Sequence, residues 1–335
     1  MQAVIYGLEG FELSSAERDF FRDSDPAGFI LFKRNCETRD QLLRLTDSLR
    51  DLAGRADLPI LIDQEGGRVA RMKPPEWPAF PAAERFAHLY QAAPTSAIEA
   101  VRSNSRALAL MLRSVGVNVN ALPLLDVRQE GASDIIGDRA LGSEPMQVAA
   151  LGRAVLDGMA TAGVVGIVKH MPGHGRALVD SHKELPVVFA SAEELEVDLE
   201  PFERLSFAPM GMTAHVVYTA WDAERPASLS PVVIRDIIRE RIGFDGFLMS
   251  DDIGMEALEG DFGSRASGVV AAGCDAALHC SGKMAEMVAV AAAIGPMTDE
   301  GEARLARAMA TTMIEPDGPD FAEAIEKRDT LLALA

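Results

Sequence analysis

Residues 164–182 read VVGIVKHMPGHGRALVDSH. The segment opens with apolar VVGIV, turns polar at Lys169-His170, and then meets Pro172, Gly173 and Gly175, which rule out a regular helix. That is the format of a buried strand handing over to a polar loop at its C-terminal end. The same format recurs in AVIYGLEG (3–10), GFILFKR (28–34), LPILID (58–63), VNVNALPLLDV (117–127), PMGMTAHVV (209–217), FLMSDD (247–252) and DAALHCS (275–281), which with 164–170 makes eight runs.

Between the runs lie stretches such as RDQLLRLTDSLRDLAGRA (39–56) and PMQVAALGRAVLDGMATAG (145–163), with apolar residues three and four apart, as amphipathic helices require. Gly116, Gly163 and Gly273 stand just before strands, where helices end on glycine. Mostly apolar strands alternating with helices predict a parallel sheet buried on both faces. The α/β class follows, and for residues 1–335 as a single domain the simplest closure is a (β/α)8 TIM-type barrel. A doubly wound open sheet is the alternative, but no G-x-G-x-x-G opens a helix here, and no low-complexity linker divides the chain.

Chemistry-bearing side chains fall at one end of these strands: Asp63-Gln64-Glu65, Asp126, Lys169-His170, His215 and Asp251-Asp252. In a barrel the C-terminal ends share one face, where active sites are built, so this placement itself predicts an enzyme. Asp180-Ser181-His182 adds a carboxylate two residues from an imidazole, close enough for a charge-assisted bond that suits a general acid or base.

Composition narrows the partners. Acidic residues outnumber basic ones, giving a net charge of −19, and no basic stripe exists to displace counterions, so nucleic acid is not an expected partner. MQAVIYGLEGFELSSAERDFF (1–21) lacks the pattern of an export signal, and no apolar run is long enough to span a bilayer, so no membrane association is expected. Cys36, Cys274 and Cys280 are too few and too irregular for a disulfide framework, which makes a reducing cytoplasm the expected location. Absence of an apolar heptad makes a monomer the default.

Several of these residues also have an ordinary structural explanation. His170 alone could be a hydrogen-bonded structural group, His174 could hold its loop, and His215 reads as structural. Asp126 reads as a cap or the partner of an arginine, and Asp138-Arg139 as a surface ion pair of little worth. Glu65 and Arg68 read as anchors of the Gly66-Gly67 turn and rank below Asp63 and Arg71. The 15 methionines read as fillers of core gaps.

Together LIDQEGGRVAR (61–71), GVNVNALPLLDV (116–127), IGDRALGS (136–143), VKHMPGHGRALVDSHKELP (168–186), MTAHVVY (212–218) and FLMSDDIGMEAL (247–258) resemble glycoside hydrolase family 3. Within it they resemble the branch of single-domain bacterial β-N-acetylhexosaminidases of peptidoglycan recycling. The most specific element is KH-x-PGHG-x(4)-DSH, which separates that branch from the β-glucosidases.

The resemblance implies a retaining exo-β-N-acetylglucosaminidase that acts on carbohydrate substrates from peptidoglycan through a covalent glycosyl-enzyme. It implies Asp251 as nucleophile, His182 as acid/base with Asp180 as its partner, and Asp63, Arg71, Arg139, Lys169 and His170 as sugar-binding residues, with no metal and no cofactor. Two positions depart from the family pattern: Met171 where Phe is commoner, and Cys280-Ser281 where Asn is usual. Three alternatives remain: a β-glucosidase or β-xylosidase of the same family, a metal-dependent barrel hydrolase using His170, His174, His182 and Asp251, and a non-catalytic sugar-binding barrel.

Overall fold

The computed structural model describes residues 1–181 and 183–334; His182 therefore lies outside the described residues. Eight strands form a closed barrel: β1 (Gln2–Gly7), β2 (Pro26–Leu31), β3 (Ile60–Ile62), β4 (Val119–Asn120), β5 (Val165–Met171), β6 (Met210–Thr213), β7 (Phe247–Asp252) and β8 (Ala276–His279). Each pairs in parallel with its neighbours in sequence, and β8 closes onto β1 through Val4 opposite Ala277 and Tyr6 opposite His279.

Helices separate the strands, as the periodicity predicts: α1 (Ser15–Ser24), α2 (Arg39–Ala53), α3 (Ala83–Ala92), α4 (Pro94–Arg113), α5 (Pro145–Ala160) and α6 (Ala192–Arg204). A π-helix (Val233–Arg241) and then α7 (Phe262–Ala272) complete the ring, followed by α8 (Met284–Ala293), α9 (Asp299–Ala310) and α10 (Phe321–Leu332). Local chemistry sets the boundaries. Ser14 and Glu17 form a capping box at the start of α1, Thr38 caps α2, and Asp261 caps α7. Gly116, Gly163 and Gly273 all have positive φ, as helix-ending glycines should. Strand residues are almost all buried, and one apolar core joins the barrel to its helices. Several core positions are methionines, among them Met159, Met171, Met210, Met212 and Met249.

Several strands are shorter than their apolar runs. The run 117–127 keeps regular pairing only at Val119–Asn120, because Pro123 has no N–H to give a ladder. The chain nonetheless follows β5 irregularly: Ile167 and Lys169 donate to the carbonyls of Leu122 and Pro123, and Leu125 donates to that of Lys169. This places Asp126 beside His170. β3 stops at Ile62, β6 at Thr213 and β8 at His279, so Asp63, His215 and Cys280 occupy the loops just beyond.

Candidate active site

The strand ends converge as predicted. A cavity of about 280 Å³ is lined by Asp63 and Glu65 from beyond β3, Lys169 and His170 from β5, and Asp251 and Asp252 from β7. Arg71, Arg139, His174 and Ser181 enter it from the loops.

The loop after β3 is built to hold its carboxylates. Gln64 is buried; its Oε1 accepts from the amides of Arg71 (2.8 Å) and Met72 (3.0 Å), and its Nε2 donates to the Met72 carbonyl (2.9 Å). Asn120 clamps the same residue, donating through Nδ2 to the Gln64 carbonyl (3.0 Å) and accepting its N–H (3.0 Å). The turn needs Gly66: its φ is 103°, and a Cβ there would lie 2.3 Å from the Pro81 carbonyl oxygen.

On this frame sits a chain of alternating charge. Asp63 accepts from Arg71 (2.9 Å) and from Lys169 Nζ (3.2 Å), and Lys169 also reaches Glu65 (2.8 Å). Glu65 takes Arg139 in a two-pronged grip, Nε to Oε2 at 2.7 Å and Nη2 to Oε1 at 2.8 Å. Burial alone would raise both carboxyls, but Lys169 with Arg71 holds Asp63 below the usual range and Lys169 with Arg139 does the same for Glu65. Lys169, 2% exposed in its side chain, stays charged: desolvation is outweighed by Glu65 and Asp63.

A second chain supports the imidazoles. Asp126 is fully buried and accepts from the backbone N–H groups of His170 (3.1 Å) and His174 (2.7 Å) and from His170 Nδ1 (2.8 Å). An ionised carboxylate only accepts, so Nδ1 carries the proton and Nε2 is left for the cavity. Burial, opposed and overcome by His170 and His174, leaves Asp126 well below the usual carboxylate range. His174 contacts Ser181 through Nε2 (3.2 Å), and burial together with His170 pushes its pKa down to about 4.

The two aspartates of β7 differ. Asp251 accepts from the Asp252 N–H (2.8 Å); burial is outweighed by His170, His215, that N–H and Lys169, so its pKa falls and it is an anion. Asp252 is raised, by burial first and by Asp251. His215 is buried between Ser228 Oγ (Nδ1, 2.6 Å) and the Asp252 carbonyl (Nε2, 3.0 Å). Asp180 is half-buried, and its carbonyl accepts from Lys183 (2.9 Å) and Glu184 (3.1 Å). Among the described residues no three His, Cys, Asp or Glu side chains form a group able to hold a metal ion.

Three readings of the sequence need correction. Asp126 pairs with an imidazole and two amides, not with an arginine. Arg139 does not share a surface ion pair with Asp138: it is largely buried on Glu65, and Asp138 binds Arg68 (2.7 Å) instead. Glu65 is no mere turn anchor, since it ties Lys169 to Arg139 inside the cavity. Its signal was present all along, as the second acid after β3 on the same side as Asp63. Asp63, Arg71, Arg139, Lys169, His170 and Asp251 do come together, whereas the acid/base histidine expected at 182 lies outside the described residues.

Residues 4–311 match the family model described as the glycosyl hydrolase family 3 N-terminal domain. A β-hexosaminidase of Methylococcus capsulatus is 39% identical over 282 residues, which cover 83% of this chain and 82% of that protein. One from Alkalilimnicola ehrlichii is 40% identical over 283 residues, covering 83% and 80%. The crystal structure of NagZ from Neisseria gonorrhoeae in complex with N-trifluoroacetyl-D-glucosamine is similar at a TM-score of 0.88 and 30% identity, covering 99% of this chain and 98% of that one.

Proposed function

The chain belongs to glycosyl hydrolase family 3 and is a glycoside hydrolase, and on that premise we propose that it is a retaining exo-β-N-acetylglucosaminidase releasing terminal β-linked N-acetylglucosamine from peptidoglycan fragments. The observation that carries this reading is the anionic Asp251 at the end of β7, inside a cavity whose other walls offer fixed donors and acceptors for sugar hydroxyls. The curated β-hexosaminidases and the structure complexed with an N-acylated glucosamine favour the N-acetyl substrate over a plain glucoside.

In the proposed mechanism Asp251 attacks the anomeric carbon and forms the glycosyl-enzyme, while His182, oriented by Asp180, protonates the leaving oxygen and later deprotonates water. Asp63, Arg71, Arg139, Lys169 and His170 hold the sugar; His170 does so through Nε2, because Asp126 occupies Nδ1. The chemistry asks for neither metal nor cofactor. We further take residues 1–335 to act as one catalytic domain, as a monomer, in a cytoplasmic cell-wall recycling role; among the described residues no helix is long and apolar enough to cross a membrane.

The test is release of nitrophenol from the β-N-acetylglucosaminide and the β-glucoside, with EDTA present, by wild type, Asp251→Ala and His182→Ala. The expected result is turnover of the N-acetyl substrate alone, abolished in Asp251→Ala and lowered about 100-fold or more in His182→Ala. Glucoside turnover would move the protein to the sister branch, and EDTA sensitivity would revive the metal-dependent reading.

A further inference from the structure

Asp252 is a cavity-lining acid to which the proposed mechanism gives no role and which, unlike Glu65, is not spent on cationic partners. Its carboxylate is fixed: Oδ1 accepts from the amides of Gly254 (2.9 Å) and Cys280 (3.1 Å), and the Cys280 thiol also hydrogen-bonds to the carboxyl. Its carbonyl is held by His215, and Met255 N–H donates to that carbonyl as well (3.1 Å). Asp63 and Glu65 have cationic partners in this cavity; Asp252, among the described residues, has none within ion-pair distance. A carboxylate this well oriented still has acceptor capacity for another donor, and, half-buried at the cavity wall without a cation, it is placed to take that donor from a ligand.

Position says which donor. Asp251 and Asp252 both line the cavity at the end of β7, so a sugar with its anomeric carbon at Asp251 brings Asp252 groups close to that carbon. The ring oxygen and the leaving oxygen carry no hydrogen there, whereas the substituent at C2 does. Beside Asp252 the cavity wall turns apolar, with Met255, Leu278 and Cys280, which suits the methyl of an acetyl group rather than a bare hydroxyl. We propose that Asp252 is a specificity-determining residue that accepts the N–H of the 2-acetamido group, with the acetyl methyl against Met255, Leu278 and Cys280. The proposal rests on the assignment of Asp251 as nucleophile.

The experiment compares wild type with Asp252→Asn and Asp252→Ala on two nitrophenyl β-glycosides: the N-acetylglucosaminide and the 2-deoxyglucoside. Asparagine keeps its oxygen on the two amides and turns an NH2 toward the substrate, donor against donor. The expected result is a loss in kcat/KM of about 10- to 100-fold on the N-acetyl substrate, the size of a lost charge-assisted hydrogen bond, and of less than about threefold on the 2-deoxy substrate. Because each variant is compared with itself across substrates, a partly unfolded preparation cancels. An equal loss on both substrates, or none, overturns the proposal while leaving the assigned reaction standing. Wild-type silence on the N-acetyl substrate overturns both.

Discussion

Glu65 shows how one residue can organise a site without being its reacting group. It is the acceptor shared by Lys169 on β5 and Arg139 on the loop between β4 and α5, and its side chain is only 5% exposed. Removing one partner of a buried ion network leaves the others uncompensated, which costs about 3–5 kcal/mol. Glu65→Gln should therefore lower unfolding free energy by that order in urea titrations, and raise KM more than it lowers kcat, since Lys169 and Arg139 would lose their fixed aim. A change confined to kcat would place Glu65 in the chemistry instead. Cys280, where the family usually has Asn, also meets the cavity, but its thiol is pushed well above its ordinary pKa by burial and by Asp252, Asp63 and Asp251. It contributes surface there, not a nucleophile.

At the scale of elements, the loop that begins at Pro172, after β5, shows what the sequence made legible and what it did not. Pro172, Gly173 and Gly175 announce a non-helical segment, and each glycine has a steric reason. Gly175 passes so close to the end of the β4 segment that a Cβ would lie 1.9 Å from the Val127 carbonyl oxygen, and Gly173 has φ 133° against Asp198. Arg176 then fastens the loop to α6 through Asp198 (2.6 Å) and the Glu194 carbonyl (2.8 Å). Gly175→Ala must displace one chain from the other, at a cost of about 1–3 kcal/mol. A fall in kcat of tenfold or more with a modest drop in thermal midpoint is the expected signature; unchanged kcat would show that the loop tolerates the displacement. The barrel itself was readable because every strand carries an apolar run ending in polar groups, and β7 falls where FLMSDD put it. Strand lengths were not readable, because pairing past Asn120 depends on the partner β5 and not on the apolar run itself. Nor was the pairing of Asp126 with His170, or of Glu65 with Arg139, since those contacts join residues 44 and 74 positions apart.

For the whole molecule, the crowding of charged groups at one end of the barrel predicts how it responds to acid. Asp63, Glu65 and Asp126 all have depressed pKa values, because cations, imidazoles and amides outweigh their burial. A depressed carboxyl means the unfolded chain binds its proton first, so the stabilisation is complete above the ordinary carboxyl range of about 3.9–4.3 and is lost as pH falls through the folded values. His174, held at about 4 by burial and His170, acts in the same direction over a higher window, as do His215 and His279, both lowered by burial: below about 6.5 the unfolded imidazole takes a proton that the folded one refuses. Asp198 opposes them between about 4 and 6, since burial raises it to about 6 and the folded state takes up its proton first. Falling pH also relieves the self-repulsion of a chain carrying −19. These opposing terms predict a gradual decline in thermal midpoint from pH 7 to 5 and a steep fall below about 4, where the depressed carboxyls make protonation favour the unfolded chain. Circular-dichroism melts across that range test it, with Glu65→Gln expected to show a shallower acid limb. A midpoint that stays level down to pH 3 would mean that the carboxylates of the cavity are not the ionised acceptors of Lys169, Arg139 and His170.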